Sequence, residues 1–234
     1  GVSALKSGRH LYCEKPLAHT VSEVRAMTEV AKQHKRTTQM GNQIHASQNY
    51  RRVVELVQSE AIGPVKEVHV WSSASYGNIN LSAADVPIPN GLDYDLWLGP
   101  LPYRSFRKEY APFSWRHFWV FGGGTLADFW CHYADLAHWA LDLSHPLTVH
   151  SLVGGARPER VTATMRVEYT HPARGEKPPV KLTWYQGSER PARLTAEQQK
   201  KWNSAVLFVG EKGQLISNYN RHEIWPTDKF KNFK

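Results

Sequence analysis

His10-Leu11-Tyr12-Cys13-Glu14-Lys15-Pro16 is a short apolar run stopped by a proline, and Thr20-Val21-Ser22-Glu23 follows it. The run reads as a buried strand, because proline cannot continue a ladder. Thr20 and Glu23 hold the N-cap and N3 places of a capping box, so a helix is predicted from Val21. Val24, Met27 and Ala31 recur at helical spacing along it. The basic stretch Lys32 to Arg36 suits its negative C-terminal end. Thr37 to Met40 reads as a second short strand, ended by Gly41-Asn42. Tyr50, Val53, Val54, Val57 and Ala61 then mark one face of a second helix, which Gly63-Pro64 stops. Strand, helix, strand, helix is the rhythm of a parallel α/β sheet. Two strands with two helices do not close one, so the pieces are expected to join something else or to lack their first part.

Further along, the period changes. Val65 to Ser73 reads as a strand with alternating Val68 and Val70. Residues 76–114 are rich in Gly, Pro, Asn and Tyr and read as a long ordered loop, a kind that is usually functional. Val161, Ala163, Met165, Val167 and Tyr169 alternate with polar residues, as do Val180, Leu182 and Trp184. Ala205–Val209 and Gln214–Tyr219 flank the turn Gly210-Glu211-Lys212-Gly213. This half is expected to be an antiparallel sheet with one solvated face.

Composition bounds the function classes. The chain has 234 residues, 41% hydrophobic and 21% charged, as in ordinary globular proteins. No apolar run approaches the ~18 residues that span a bilayer, so no membrane partner is expected. The N-terminus has no signal-peptide core, and no compartment follows from it. The net charge is +8, but the Lys and Arg residues are scattered, so a nucleic-acid partner is not expected either. Cys13 and Cys131 are too few for a disulfide framework and are expected to be free thiols. Nine Trp residues stand out, and Trp115, Trp119, Trp130 and Trp139 lie close together in sequence. They read as a buried aromatic cluster or as flat surfaces for sugar rings.

The chemistry concentrates in Gly122-Gly123-Gly124-Thr125 and the helix predicted after it, to about Leu143. Leu126, Phe129, Trp130, Tyr133, Leu136, Ala137, Ala140 and Leu141 share one side. Asp128, His132, Asp135, Trp139 and Asp142 stripe the other, with Asp128 and His132 one turn apart. That stripe is either a solvated face or a site. It carries a Trp and a His but no Lys or Glu, which favours the site. The glycines match neither dinucleotide nor Walker spacing; they let a backbone or a ligand come close. Asp128, His132 and Asp135 could ligate a metal, but no second spaced cluster accompanies them, and no metal is expected. An Asp–His pair beside a lysine suits proton handling: imidazole takes a proton, and an ammonium holds a developing alkoxide.

Glu14-Lys15-Pro16 after a short strand resembles the E-K-P signature of the Gfo/Idh/MocA oxidoreductases. The stretch Gly122 to Asp135 is similar to that family's G-G-G-x-x-x-D-x-x-x-H-x-x-D helix, and Leu96-Trp97-Leu98-Gly99-Pro100, Trp115-Arg116 and Leu207 to Gly213 resemble it too. The resemblance implies α/β plus α+β architecture. Residues 1–62 would be the C-terminal part of a Rossmann dinucleotide-binding domain, and residues 63–234 an α/β domain with a large, mostly antiparallel sheet for substrate and oligomerisation. The family's G-x-G-x-x-G turn and first strands are absent from these residues, so the chain is expected to be a piece of a longer protein that on its own is aggregation-prone or poorly folded and binds NAD(H) weakly or not at all.

The resemblance also implies roles. Lys15, Asp128 and His132 would be catalytic, with His132 the base and Asp128 orienting it. Glu14, Lys15 and Arg116 would contact NAD or NADP, and Asn42, Gln43, His45 and Asp135 would meet the substrate. Asn42, Gln43 and His45 equally fit a turn that caps the second helix, and Arg116 a surface position. The expected activity is hydride transfer between a nicotinamide cofactor and a secondary hydroxyl of a sugar or polyol. Two alternatives carry the same fold: an NAD-dependent glycosidase that oxidises its sugar transiently, and a non-catalytic binding protein. Copies of the chain are expected to pair through the outer face of the C-terminal sheet, with Trp184 as a candidate contact.

Overall fold

After a short helix α1 (Val2–Lys6), strands β1 (Leu11–Glu14) and β2 (Thr38–Gly41) run parallel, with Leu11 opposite Thr38 and Glu14 opposite Gly41. The structure is a computed structural model that describes residues 1–152 and 157–231. Helix α2 (Val21–Gln33) connects the two strands. Its capping box is closed both ways: Glu23 N–H donates to Thr20 Oγ1 at 3.2 Å and Thr20 N–H to the Glu23 carboxylate at 2.8 Å. None of its residues is buried. Val24, Met27 and Ala31 line an open groove of about 370 Å³ with Leu11, Cys13, Leu17 and Met40.

A 3-10 turn (Gln43–Ala46) leads into α3 (Gln48–Gln58), capped by Ser47. Tyr50, Val53, Val54, Leu56 and Val57 are buried there. The helix stops short of Ala61, because Glu60 turns into the left-handed region at φ 56°. The buried face of α3 packs into the core of the second sheet. The division expected at residue 62 therefore falls after a helix whose apolar side already belongs to that core.

The second sheet begins with β3 (Val65–Ser72) and, after α4 (Tyr94–Leu98) and α5 (Gly124–Leu141), continues with β4 (Thr148–Ser151), β5 (Met165–His171) and β6 (Val180–Gln186). Helix α6 (Ala196–Lys201) precedes β7 (Ala205–Gly210), β8 (Gln214–Ser217) and β9 (His222–Trp225). The spatial order is β4-β5-β6-β3-β7-β8-β9. β3 and β6 are parallel, and the other pairs are antiparallel. The inner face carries Val68, Val70, Val167, Leu182, Trp184, Val206, Phe208 and Leu215 against Tyr133, Leu136, Ala137 and Ala140 of α5. At ~1.5–3 kcal/mol for each large side chain buried, this contact fixes α5 on the sheet.

Four expectations are corrected. Residues 76–114 are not only loop: α4 and the segment after it build a small core from Tyr94, Leu98, Phe106, Tyr110 and Phe118. Val161 and Ala163 are not strand, since Val161 N–H pairs with His117 O at 3.0 Å and β5 starts at Met165. The helix ends at Leu141, where Asp142 caps it in the left-handed region. Trp184 is not a contact surface: it pairs across from Val167 on the inner face and lies fully buried beside Trp130.

Candidate active site

Lys15 leaves β1 at the C-terminal ends of the two parallel strands, where its N–H donates to Gly41 O at 3.1 Å. Its side chain crosses to α5. Lys15 Nζ donates to Asp128 Oδ1 at 2.6 Å and to Asp128 O at 3.0 Å. Two more donors meet the other carboxylate oxygen: Arg116 Nε at 3.0 Å and the Tyr76 hydroxyl at 3.2 Å. Burial works against the charge of Asp128, but these donors overcome it and hold its carboxyl below the usual range. Burial, helped by the Asp128 charge, pushes the Tyr76 phenol up to about 12, so it stays a donor.

The glycines explain how Arg116 gets there. A Cβ on Gly122 would stand 2.8 Å from the Arg116 Cα and 2.9 Å from the Trp115 ring. The chain's own 3-10 turn (Ser114–His117), not a ligand, makes that close approach. The Arg116 guanidinium then lies over the rings of Phe113 and Trp115, at 4.6 and 4.2 Å from their centroids. Tyr76 is set by Thr125, whose hydroxyl accepts its backbone N–H at 2.9 Å.

His132 is 7% exposed. Its Nδ1 meets Asn42 Oδ1 at 2.8 Å, and Asn42 Nδ2 donates to Cys131 O at 2.5 Å. The expected partner of the ring, Asp128, is occupied by Lys15, Arg116 and Tyr76 instead. The asparagine expected to face the substrate is turned onto α5. Burial first, and then the Lys15 charge, lower the His132 pKa against the pull of Asp128 and Asp135.

One turn further, Asp135 Oδ2 meets His45 Nδ1 at 2.8 Å, and the His45 ring stacks on Trp139 at 4.1 Å. Asp128, His132 and Asp135 of the polar stripe thus face Lys15, Asn42 and His45 rather than open water, whereas Asp142, past the helix end, is exposed. Gln43 and Glu14 are exposed at the rim. Sequence reasoning missed Tyr76. Its only signal was its place at the start of a long loop. Among the described residues no helix is long and apolar enough to cross a membrane, and Cys13 and Cys131 are free thiols.

The arrangement can hold an oxygen and move a proton. Lys15 Nζ has three N–H bonds, and two are engaged. The third, beside an imidazole, suits a hydroxyl becoming a carbonyl.

Two family models match the chain. The NAD-binding Rossmann fold of an oxidoreductase family covers residues 1–42. The C-terminal alpha/beta domain of the same family covers residues 48–176. No curated protein matches. Among solved structures, the WlbA dehydrogenase from Bordetella pertussis, in complex with NADH and UDP-GlcNAcA, is 17% identical with a TM-score of 0.60 over 96% of this chain and 57% of its own. The aldose-aldose oxidoreductase from Caulobacter crescentus, complexed with glycerol, is 18% identical with a TM-score of 0.58 over 95% of this chain and 51% of its own. An oxidoreductase domain protein from Kribbella flavida is 21% identical with a TM-score of 0.61 over 95% of this chain and 52% of its own. The chain spans about half the length of these structures.

Proposed function

This chain belongs to the Gfo/Idh/MocA oxidoreductase family, and from that premise we propose that it carries the proton-handling half of an active site for hydride transfer between NAD or NADP and a secondary hydroxyl of a sugar or polyol. The observation that carries the reading is that Lys15, from the end of β1, meets the polar stripe of α5 on which Asp128 and His132 lie one turn apart. Crevices past the carboxyl ends of parallel strands take dinucleotides. Glu14 and Lys15 stand at the carboxyl ends of the parallel strands β1 and β2, which is where that rule puts a dinucleotide, so their position fits a nicotinamide cofactor. When bound, the cofactor supplies the hydride acceptor. Lys15 Nζ orients the hydroxyl through its remaining N–H and stabilises the oxygen as negative charge grows. His132 accepts the hydroxyl proton on its free ring nitrogen while hydride leaves the carbon. Asp128 holds the ammonium in place, and Arg116 and Tyr76 hold Asp128.

A sugar or polyol is favoured by the neighbours' ligands, UDP-GlcNAcA and glycerol, and by the Trp139–His45 stack beside Asp135. The test is NAD(P)H formation by the full-length protein over a panel of sugars and polyols. Substrate-dependent reduction that is lost in His132→Ala is expected. Release of a leaving group without net reduction would favour the glycosidase chemistry, and no turnover of any member would contradict the proposal.

A further inference from the structure

We infer that Asn42 is the positioning residue that sets the tautomer and orientation of His132, in the place where a carboxylate was expected. The inference rests on the proposed reading of His132 as proton acceptor, but its geometry stands apart from it. Asn42 lies in the bend between β2 and the Gln43–Ala46 turn and is 8% exposed. Both ends of its amide meet α5. The Cys131 carbonyl has no proton to give, so the amide atom 2.5 Å away is the Nδ2 donor. That leaves Oδ1, which only accepts, at 2.8 Å from His132 Nδ1. An acceptor there requires a proton on Nδ1. The neutral ring then has its lone pair on Nε2, the nitrogen available to a substrate. Donor and acceptor chemistry, rather than ring placement, fixes this assignment.

The partner's neutrality matters as much as its geometry. A carboxylate in this place would add a full negative charge that stabilises the imidazolium, and a neutral amide stabilises it far less. The charged and titratable groups facing the ring come from three elements. Lys15, from the end of β1, opposes a second positive charge. Asp128 and Asp135, on α5 itself, favour it, the former bound by Lys15 and Arg116 and the latter paired with His45. Tyr219, after β8, sets its ring edge-on at 6.1 Å. Tyr50 touches only the backbone there, donating to His132 O at 3.0 Å. With no carboxylate bonded to the ring, burial and then the Lys15 charge hold its pKa below the ordinary value.

The experiment is nitrogen-15 NMR of the histidine rings in the full-length protein, alongside turnover. His132 is expected to show a protonated Nδ1 and a bare Nε2. Asn42→Leu removes the acceptor at similar size. It should give mixed tautomers and lower kcat by about 10²-fold with KM little changed. Asn42→Asp keeps the acceptor and adds a charge within hydrogen-bond distance. It should keep the tautomer and raise the pH at which His132 titrates by about 1 unit or more, with the acid limb of kcat/KM moving by the same amount. A wild-type ring protonated on Nε2, an unchanged tautomer in Asn42→Leu, or an unmoved titration in Asn42→Asp would overturn the inference. A fully active His132→Ala with the NMR results intact would defeat the base reading and leave the tautomer assignment standing.

Discussion

Lys15 offers three N–H bonds, and Asp128 takes two of them through a carboxylate oxygen and its own carbonyl. That leaves one directed donor, which is why an ammonium rather than a guanidinium belongs here. Lys15→Ala is expected to lower kcat by ~10²–10⁴, the range for a lost acid–base or electrostatic group. Lys15→Arg should not restore it, because a planar fork cannot reproduce a compact point donor. Steady-state kinetics checks both, with cofactor affinity little changed. Tyr76→Phe removes one of the Asp128 donors. It should cost about 0.5–1.5 kcal/mol of stability in a urea titration. At this scale Lys15, Asp128 and His132 were legible because they sit in short, spaced patterns. The partnerships were not. Tyr76 reaches Asp128 across 52 residues and Asn42 reaches His132 across 90, and no local periodicity encodes such pairs. Proximity in sequence misled: one helical turn between Asp128 and His132 suggested a dyad, but three donors from elsewhere compete for the carboxylate.

Helix α5 decides which elements can meet. One side is packed on the inner sheet face and the other carries the polar stripe, so a shift of its start would move Asp128, His132 and Asp135 together, away from partners on other elements. Gly124 opens the helix at φ 77°, and a Cβ there would stand 2.8 Å from the Val161 side chain. Gly124→Ala is therefore expected to destabilise by about 1–3 kcal/mol, read as a lower denaturation midpoint at unchanged slope. A midpoint within error of wild type would refute the packing. The capping box, the α3 face, β3 and the Gly210–Gly213 hairpin were legible, since each is written in a local period or a turn. β4 and β9 were not. All four residues of β4 are exposed, so alternation never marks it. Val161 alternates with its neighbours yet belongs to the contact with Gly124 and His117, where tertiary packing overrides the pattern.

At the scale of the whole molecule, the parallel pair β1–β2 touches the large sheet's core through side chains that meet on α5. Pairing of copies through the outer sheet face remains a proposal without its aromatic anchor, because Trp184 is internal. Part of that face is covered by Leu194 and Trp202, and another part is polar, with Lys181 paired to Glu168 at 3.0 Å. Stability should depend on pH through the buried histidines. His69, His132 and His171 have pKa values lowered chiefly by burial, so the unfolded chain binds more protons. Their contribution is complete above the unfolded value near ~6.5 and is lost as pH falls from there through the folded values. The melting temperature should drop between pH 7 and pH 5.5, ahead of the carboxylates; a flat profile would contradict this. The most direct test of the central claim is the rate of nicotinamide reduction by His132→Ala in the full-length protein, measured with saturating substrate across the pH range. A fall of ~10²–10⁴ with cofactor affinity preserved is predicted, and wild-type rates at every pH would contradict it.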